Sequence, residues 1–201
     1  LGFVYLNVAL YKSCYVYFYQ IARRLPPQVI INMARRLGVG QKTGIDLGHE
    51  QGGFIADPEW KKRVRKEPWY VGDTVLTSIG QGYVLMSPLQ LVRMMAAVAN
   101  GGYMVQPHIR FDGVSERKNL SLNPAHLKFV MDSLNKVSNV PGGTAYGSRI
   151  KNPNYLMGGK TSTAQVRRIS LKERGEGVRQ SAALPWHLRD TSEFVGFAPV
   201  H

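Results

Sequence analysis

Helix signals and strand signals occupy different parts of this sequence, and that segregation constrains its fold more than anything else in it. Residues 8–24 read as a helix rich in aromatics (Tyr11, Tyr15, Tyr17, Phe18, Tyr19), stopped by Pro26-Pro27. A second helix places Val29, Ile30, Met33, Ala34 and Leu37 at helical spacing, with Gly38 as its C-terminal stop. Residues 38–82 are irregular and glycine-rich. Ser87-Pro88-Leu89-Gln90 starts a third helix: hydroxyl cap, first-turn proline and capping-box glutamine stand in register. Its expected buried stripe is Leu89, Val92, Met95, Ala96 and Ala99, and Asn100-Gly101-Gly102 ends it. A last helix begins at Asn123-Pro124, carries Leu127, Val130, Met131, Leu134 and Val137, and stops before Pro141-Gly142-Gly143. Beyond it the β-prone runs are Thr161 to Val166 and Phe194 to Ala198, separated by a polar, basic insertion from Arg167 to Arg189. With no internal repeat and no convincing linker, the pattern predicts one α/β (α+β) unit, helical over 1–150 and sheet-forming over 156–201.

Composition removes several classes. The 201 residues suit one modest domain, and 44% hydrophobic against 19% charged residues excludes a disordered tail or a coiled coil. The single cysteine, Cys14, excludes an internal disulfide framework and any multi-cysteine metal site. No apolar run approaches the ~20 residues a membrane helix needs. The apolar opening, Leu1 to Leu10, is too short to span and lacks the basic leader of a signal peptide. Twenty-six Lys and Arg against 13 Asp and Glu leave +13, which implies an anionic neighbourhood. Nucleic acid is not expected. The basic clusters (Arg23-Arg24, Arg35-Arg36, Lys61 to Lys66, Arg167-Arg168) are scattered through loops and helix ends rather than interleaved with aromatics on one face.

Most motif matches are weak. Gly38-Val39-Gly40-Gln41-Lys42-Thr43 lacks the gap and the glycine before lysine that a phosphate loop needs. The five histidines show no metal-ligand spacing. The informative stretch is Gly158-Gly159-Lys160-Thr161-Ser162-Thr163-Ala164-Gln165-Val166. Alternation sends Thr161 and Thr163 to one side of a strand edge, close to the Lys160 ammonium, and small residues let a substrate backbone pair alongside. Such an edge suits an extended peptide that ends in a carboxylate. An ordinary strand with a solvated lysine explains the same residues.

That stretch is one of several that resemble the transpeptidase domain of class B penicillin-binding proteins, most closely the rod-elongation type, penicillin-binding protein 2. The others are Tyr11-Lys12-Ser13-Cys14-Tyr15 with the aromatics that follow, Gly40 to Leu47, Ser78 to Tyr83, Ser87 to Leu91, Pro141 to Ala145, and Phe194 to Pro199. Their order and spacing match as a set. The resemblance implies a penicillin-binding fold, with a helical subdomain and part of a five-stranded antiparallel sheet. It implies D,D-transpeptidase chemistry, in which a serine attacks a D-alanyl-D-alanine carbonyl, expels alanine and hands the acyl group to a neighbouring amine. By position, Ser13 matches the proton-shuttling serine of the second motif, and Lys160 the strand lysine that keeps the site positive. Thr161 and Thr163 match carboxylate-binding hydroxyls. The Gly80 to Gly82 loop is assigned to packing. No cofactor or metal is implied. The implied partners are peptidoglycan stem peptides, β-lactam antibiotics, a membrane glycosyltransferase and elongation-complex proteins. The implied location is the periplasmic or outer face of the cytoplasmic membrane, with the anchor outside this sequence.

Three departures stand out. The family's nucleophilic Ser-x-x-Lys precedes the Ser13 motif and is expected upstream of Leu1. The literal matches Ser115/Lys118, Ser133/Lys136 and Ser148/Lys151 all follow Ser13 and read as chance. Tyr15 stands where the family has Asn or Asp, and offers one hydroxyl on a bulkier ring. Ser162 replaces the glycine of Lys-Thr-Gly, whereas the literal Lys42-Thr43-Gly44 resembles a structural segment. A fragment is expected, lacking the nucleophile region and a C-terminal strand and helix, marginal in stability and inactive alone. Two functional classes stay open. One is a transpeptidase parent; the other is a non-catalytic relative, a scaffold of the elongation complex or a β-lactam sensor, with Tyr15 and Ser162 marking a decayed site. A serine β-lactamase lacks a candidate water-activating carboxylate.

Overall fold

A computed structural model describes residues 2–200 except 114 and 168, and only the backbone of Leu171 and Lys172. The chain opens with α1 (Leu6–Tyr11) and α2 (Tyr15–Ala22), where the sequence pattern predicts one helix over 8–24. The break is a helix-ending turn of Schellman type. The Cys14 N–H donates to the Ala9 carbonyl (2.8 Å) and the Ser13 N–H to that of Leu10 (3.3 Å). This geometry forces Ser13 into the left-handed region, φ 53°, where glycine is the usual occupant.

Next comes α3 (Pro27–Arg36), opened by proline in its first turn. It buries Ile31 against Val39 and Ile55; of the expected stripe Ala34 and Leu37 pack against the core, while Val29 and Met33 face solvent. β1 (Phe54–Ile55) follows, then α4 (Pro58–Trp60), whose cap is the Asp57 carboxylate accepting from the Trp60 N–H at 2.7 Å. α4 continues as a π-helical turn over Lys61–Arg65. After α5 (Val71–Thr77), β2 (Val84–Leu85) returns to pair antiparallel with β1.

α6 (Pro88–Ala99) starts as its sequence predicts: the Gln90 N–H donates to Ser87 Oγ (3.2 Å), and the Ser87 N–H to Gln90 Oε1 (2.8 Å). The same glutamine, 2% exposed, donates Nε2 to the Gln41 and Gly52 carbonyls (2.6 and 2.7 Å) and ties the glycine-rich loop to the helix. The expected stripe holds at Met95 but not at Val92, which is exposed; Ala97 is buried instead, against Met104 and Leu120. β3 (Tyr103–Val105) and β4 (Arg117–Asn119) form a second small antiparallel ladder. Two strand pairs therefore lie within the stretch expected to be helical.

The last long helix, α7 (Pro124–Asn139), begins at Asn123, whose side chain accepts from the Ala125 N–H. It packs against both α1 and β5 (Gly158–Ala164). α8 (Leu171–Glu176) lies in the polar, basic insertion, with Arg167 paired to Glu173 at 2.6 Å. β6 (Thr191–Phe197) closes the order and pairs antiparallel with β5 along its length, from Gly158↔Phe197 to Ala164↔Thr191. Gly159 and Gly196 sit opposite each other because the Phe194 ring occupies the space above both. A Cβ at Gly159 would stand 2.6 Å from Phe194 Cζ, and one at Gly196 2.6 Å from Phe194 Cε1. The fold is thus mixed helix and sheet, with α7 bringing the Ser13 turn and the β5 edge together.

Candidate active site

Three backbone segments distant in sequence meet here: the Lys12–Cys14 turn, the Pro141–Ala145 loop and strand β5. The loop is docked by main chain, the Thr144 N–H donating to the Tyr11 carbonyl (3.2 Å) and the Ala145 N–H to that of Val137 (3.0 Å). Gly143 is required there, because a Cβ would run into the Lys136 and Val137 carbonyls at the end of α7. Lys12 lies against Gly142, with Cε 3.5 Å from where a Cβ would be.

Across this junction Lys160 Nζ donates to Ser13 Oγ at 2.8 Å, joining residues 147 positions apart. A second Nζ–H goes to the Thr161 carbonyl at 2.9 Å. Among the described residues no carboxylate lies within ion-pair distance of Lys160. Burial therefore acts on its ammonium uncompensated and holds its pKa below the ordinary 10.5. Because Nζ donates to Ser13 Oγ, the serine keeps its own proton available for another acceptor.

Thr161 is half-buried and its hydroxyl shares a 2.8 Å hydrogen bond with Thr144 Oγ1. Ser162 and Thr163 are exposed further along β5. Tyr15 begins α2, half-exposed, its ring stacked on Tyr19 at 6.3 Å. The structure thus brings Ser13, Lys160 and Thr161 together, and leaves Ser162 and Thr163 open on the strand.

Sequence reasoning missed two neighbours. Thr144 sits within a recognised segment, but nothing in its pattern announces that its hydroxyl meets Thr161. Gln81, in the loop assigned to packing, donates Nε2 to the Thr163 carbonyl at 3.1 Å and so touches the β5 edge. Two of the literal Ser-x-x-Lys serines have local roles: Ser133 is buried and donates back to the Phe129 carbonyl (2.8 Å), and Ser115 donates to that of Gln106 (2.7 Å). Among the described residues no group of three His, Cys, Asp or Glu could hold a metal ion. No described helix is long and apolar enough to cross a membrane.

Comparison with known proteins bears on the family and the fold. The profile of the penicillin binding protein transpeptidase domain matches residues 3–200. The peptidoglycan D,D-transpeptidase MrdA of Acinetobacter baumannii is 36% identical over 209 residues, covering 98% of this chain and 30% of that relative. Penicillin-binding protein 2 of Pseudomonas aeruginosa, solved in complex with WCK 5153, aligns over 100% of this chain and 42% of its own, at TM-score 0.78 and 32% identity. The Helicobacter pylori protein, solved in complex with MreC, aligns over 98% of this chain and 34% of its own, at TM-score 0.84 and 29% identity. The chain therefore spans less than half the length of each of these relatives. By sequence and by fold, it belongs to the penicillin-binding protein transpeptidase domains of the penicillin-binding protein 2 (MrdA) type.

Proposed function

We propose that this chain supplies part of the acyl-transfer site of a serine-type peptidoglycan D,D-transpeptidase of cell-wall elongation, one that penicillins acylate. The observation that carries the reading is the 2.8 Å contact from Lys160 to Ser13. A positively charged, acid-free lysine in contact with a serine hydroxyl suits proton relay to a leaving alanine or from an incoming amine. The same charge, on the strand that carries the Thr161 and Thr163 hydroxyls, suits the terminal carboxylate of a stem peptide or a β-lactam. Substrate backbone would lie along β5, where the small side chains leave room. In this reading the acylated serine belongs to the Ser-x-x-Lys that the family carries ahead of the Ser13 motif; Ser115 and Ser133 donate to main-chain carbonyls instead.

Partners follow the same reading. The Helicobacter pylori relative was solved with MreC, which supports elongation-complex proteins as partners of the intact protein; a membrane glycosyltransferase partner and a place on the periplasmic or outer face of the cytoplasmic membrane are proposed from family membership. That residues 1–201 form part of one transpeptidase domain is likewise proposed. The retained Lys160–Ser13 contact weighs against a decayed scaffold despite Tyr15 and Ser162.

The test is labelling of the intact protein with fluorescent penicillin, followed by peptide mapping of the adduct. An adduct on a serine upstream of Leu1 supports the reading. No adduct on the folded protein sinks it in favour of the scaffold. An adduct within Leu1–His201 would show that one of the three later serines is the nucleophile.

A further inference from the structure

A second concave feature shares no residue with the Ser13–Lys160 junction. The end of α3, the turn after it, α6 and the β3–β4 ladder border a half-open cleft of about 370 Å³, walled by Arg35, Arg36, Gln41, Arg93, Lys118 and Asn119 among others. Among the described residues, four cationic side chains line it and no acidic one does.

Two of those cations are fixed without being neutralised. Arg36 donates Nη2 to the Leu120 carbonyl and to that of Ser121 (3.0 Å). Arg93 donates Nε to the Val105 carbonyl at 2.8 Å and Nη1 to the Lys42 carbonyl at 3.5 Å. Main-chain carbonyls hold a guanidinium in place yet leave its full charge uncancelled. Among the described residues, Arg35 alone of the four pairs with a carboxylate, Asp57 at 2.7 Å. Glu50 exerts a favourable field on Arg93, but its two oxygens accept from Thr43 and Gly44 instead. Lys118, exposed on β4, is in no ion pair among the described residues.

Like charges gathered around one concavity repel, and partial burial removes some of the water that would screen them. An anion inside relieves that repulsion and meets donors already oriented, so little side-chain freedom is lost on binding. Guanidinium edges match tetrahedral oxyanions, and the space exceeds what one small ion fills. We propose that this cleft binds a phosphate-bearing anion of the pyrophosphate or phosphomonoester class, either free or carried on a lipid headgroup. The proposal does not depend on the acyl-transfer reading.

Calorimetric titration of the intact protein with inorganic pyrophosphate at low ionic strength tests it, with acetate at matched ionic strength as control. A parallel arm measures co-sedimentation with phosphatidylglycerol vesicles against phosphatidylcholine vesicles. Pyrophosphate binding assigns a soluble ligand, and binding to phosphatidylglycerol vesicles alone assigns a lipid-borne one; both support the site. Arg93→Gln and Lys118→Glu should each weaken binding by about tenfold or more, with a shallower salt dependence. Lys118 is exposed, so Lys118→Glu decides the matter if Arg93→Gln fails to fold, and penicillin labelling of Lys118→Glu should match the parent. Binding to neither pyrophosphate nor phosphatidylglycerol, equal binding of acetate, or undiminished binding by Lys118→Glu would overturn the proposal.

Discussion

Ser13 occupies a backbone position that favours glycine, and this makes an unusual prediction about two substitutions. Ser13→Ala and Ser13→Gly both delete the hydroxyl that Lys160 contacts, so that loss cancels when they are compared with each other. What remains is the backbone. At φ 53° an alanine Cβ costs about 1–2 kcal/mol that glycine avoids. Glycine forfeits about 0.4–1 kcal/mol through the freedom of its unfolded chain. The balance, between about 0 and 1.6 kcal/mol and centred near 0.8, leaves Ser13→Gly the more stable variant, by about 2–3 °C in Tm at the centre for a domain of this size. A continuous helix over 8–24 predicts the opposite sign, with glycine worse than alanine by about 1 kcal/mol. Thermal melts of both variants of the intact protein distinguish these cases. Ser13→Ala melting above Ser13→Gly would refute the left-handed turn and the reasoning built on it.

Three other outcomes are expected. Gln90→Leu keeps the volume but strands the Gln41 and Gly52 carbonyls and the Ser87 N–H, so it should cost about 2–3 kcal/mol, read as a Tm loss of about 4–12 °C. Gly159→Ala pushes a methyl into the Phe194 ring and the Val195 carbonyl and should separate β5 from β6, seen as loss of amide-exchange protection along both strands and of penicillin labelling. Burial lowers the pKa of Lys160, so between that lowered value and 10.5 the unfolded chain holds a proton that the folded one lacks. Stability from this group therefore rises with pH across that window and is lost as pH falls back through it. Lys160→Met should flatten that part of a urea-denaturation pH series, and an unchanged profile would contradict the assignment.

Elements long enough to show periodicity were legible in the sequence: α6 and α7 start where their Ser-Pro and Asn-Pro caps stand. The pairs β1–β2 and β3–β4 were not, because two or three residues carry no readable alternation. The break between α1 and α2 was hidden for a different reason. A turn of this type advertises itself by glycine, and here serine holds the position. That hidden break is what aims Ser13 at Lys160 instead of leaving it on a helix face. The Lys160 strand was legible through its glycines and hydroxyls, though its span runs Gly158–Ala164 rather than from Thr161 to Val166. Gln81 and Thr144 were not, since a single side-chain contact across 82 or 17 residues leaves no trace in spacing.

The central claim is that Ser13 and Lys160 act as one unit in acyl transfer. A double-mutant cycle on the rate of penicillin acylation, using the intact protein with Ser13→Ala, Lys160→Met and both, tests it most directly. Each single change should slow acylation by about 10²-fold or more, and the double variant should be scarcely slower than the worse single one. Losses that multiply, or either variant acylating at the parent rate, would contradict a coupled pair.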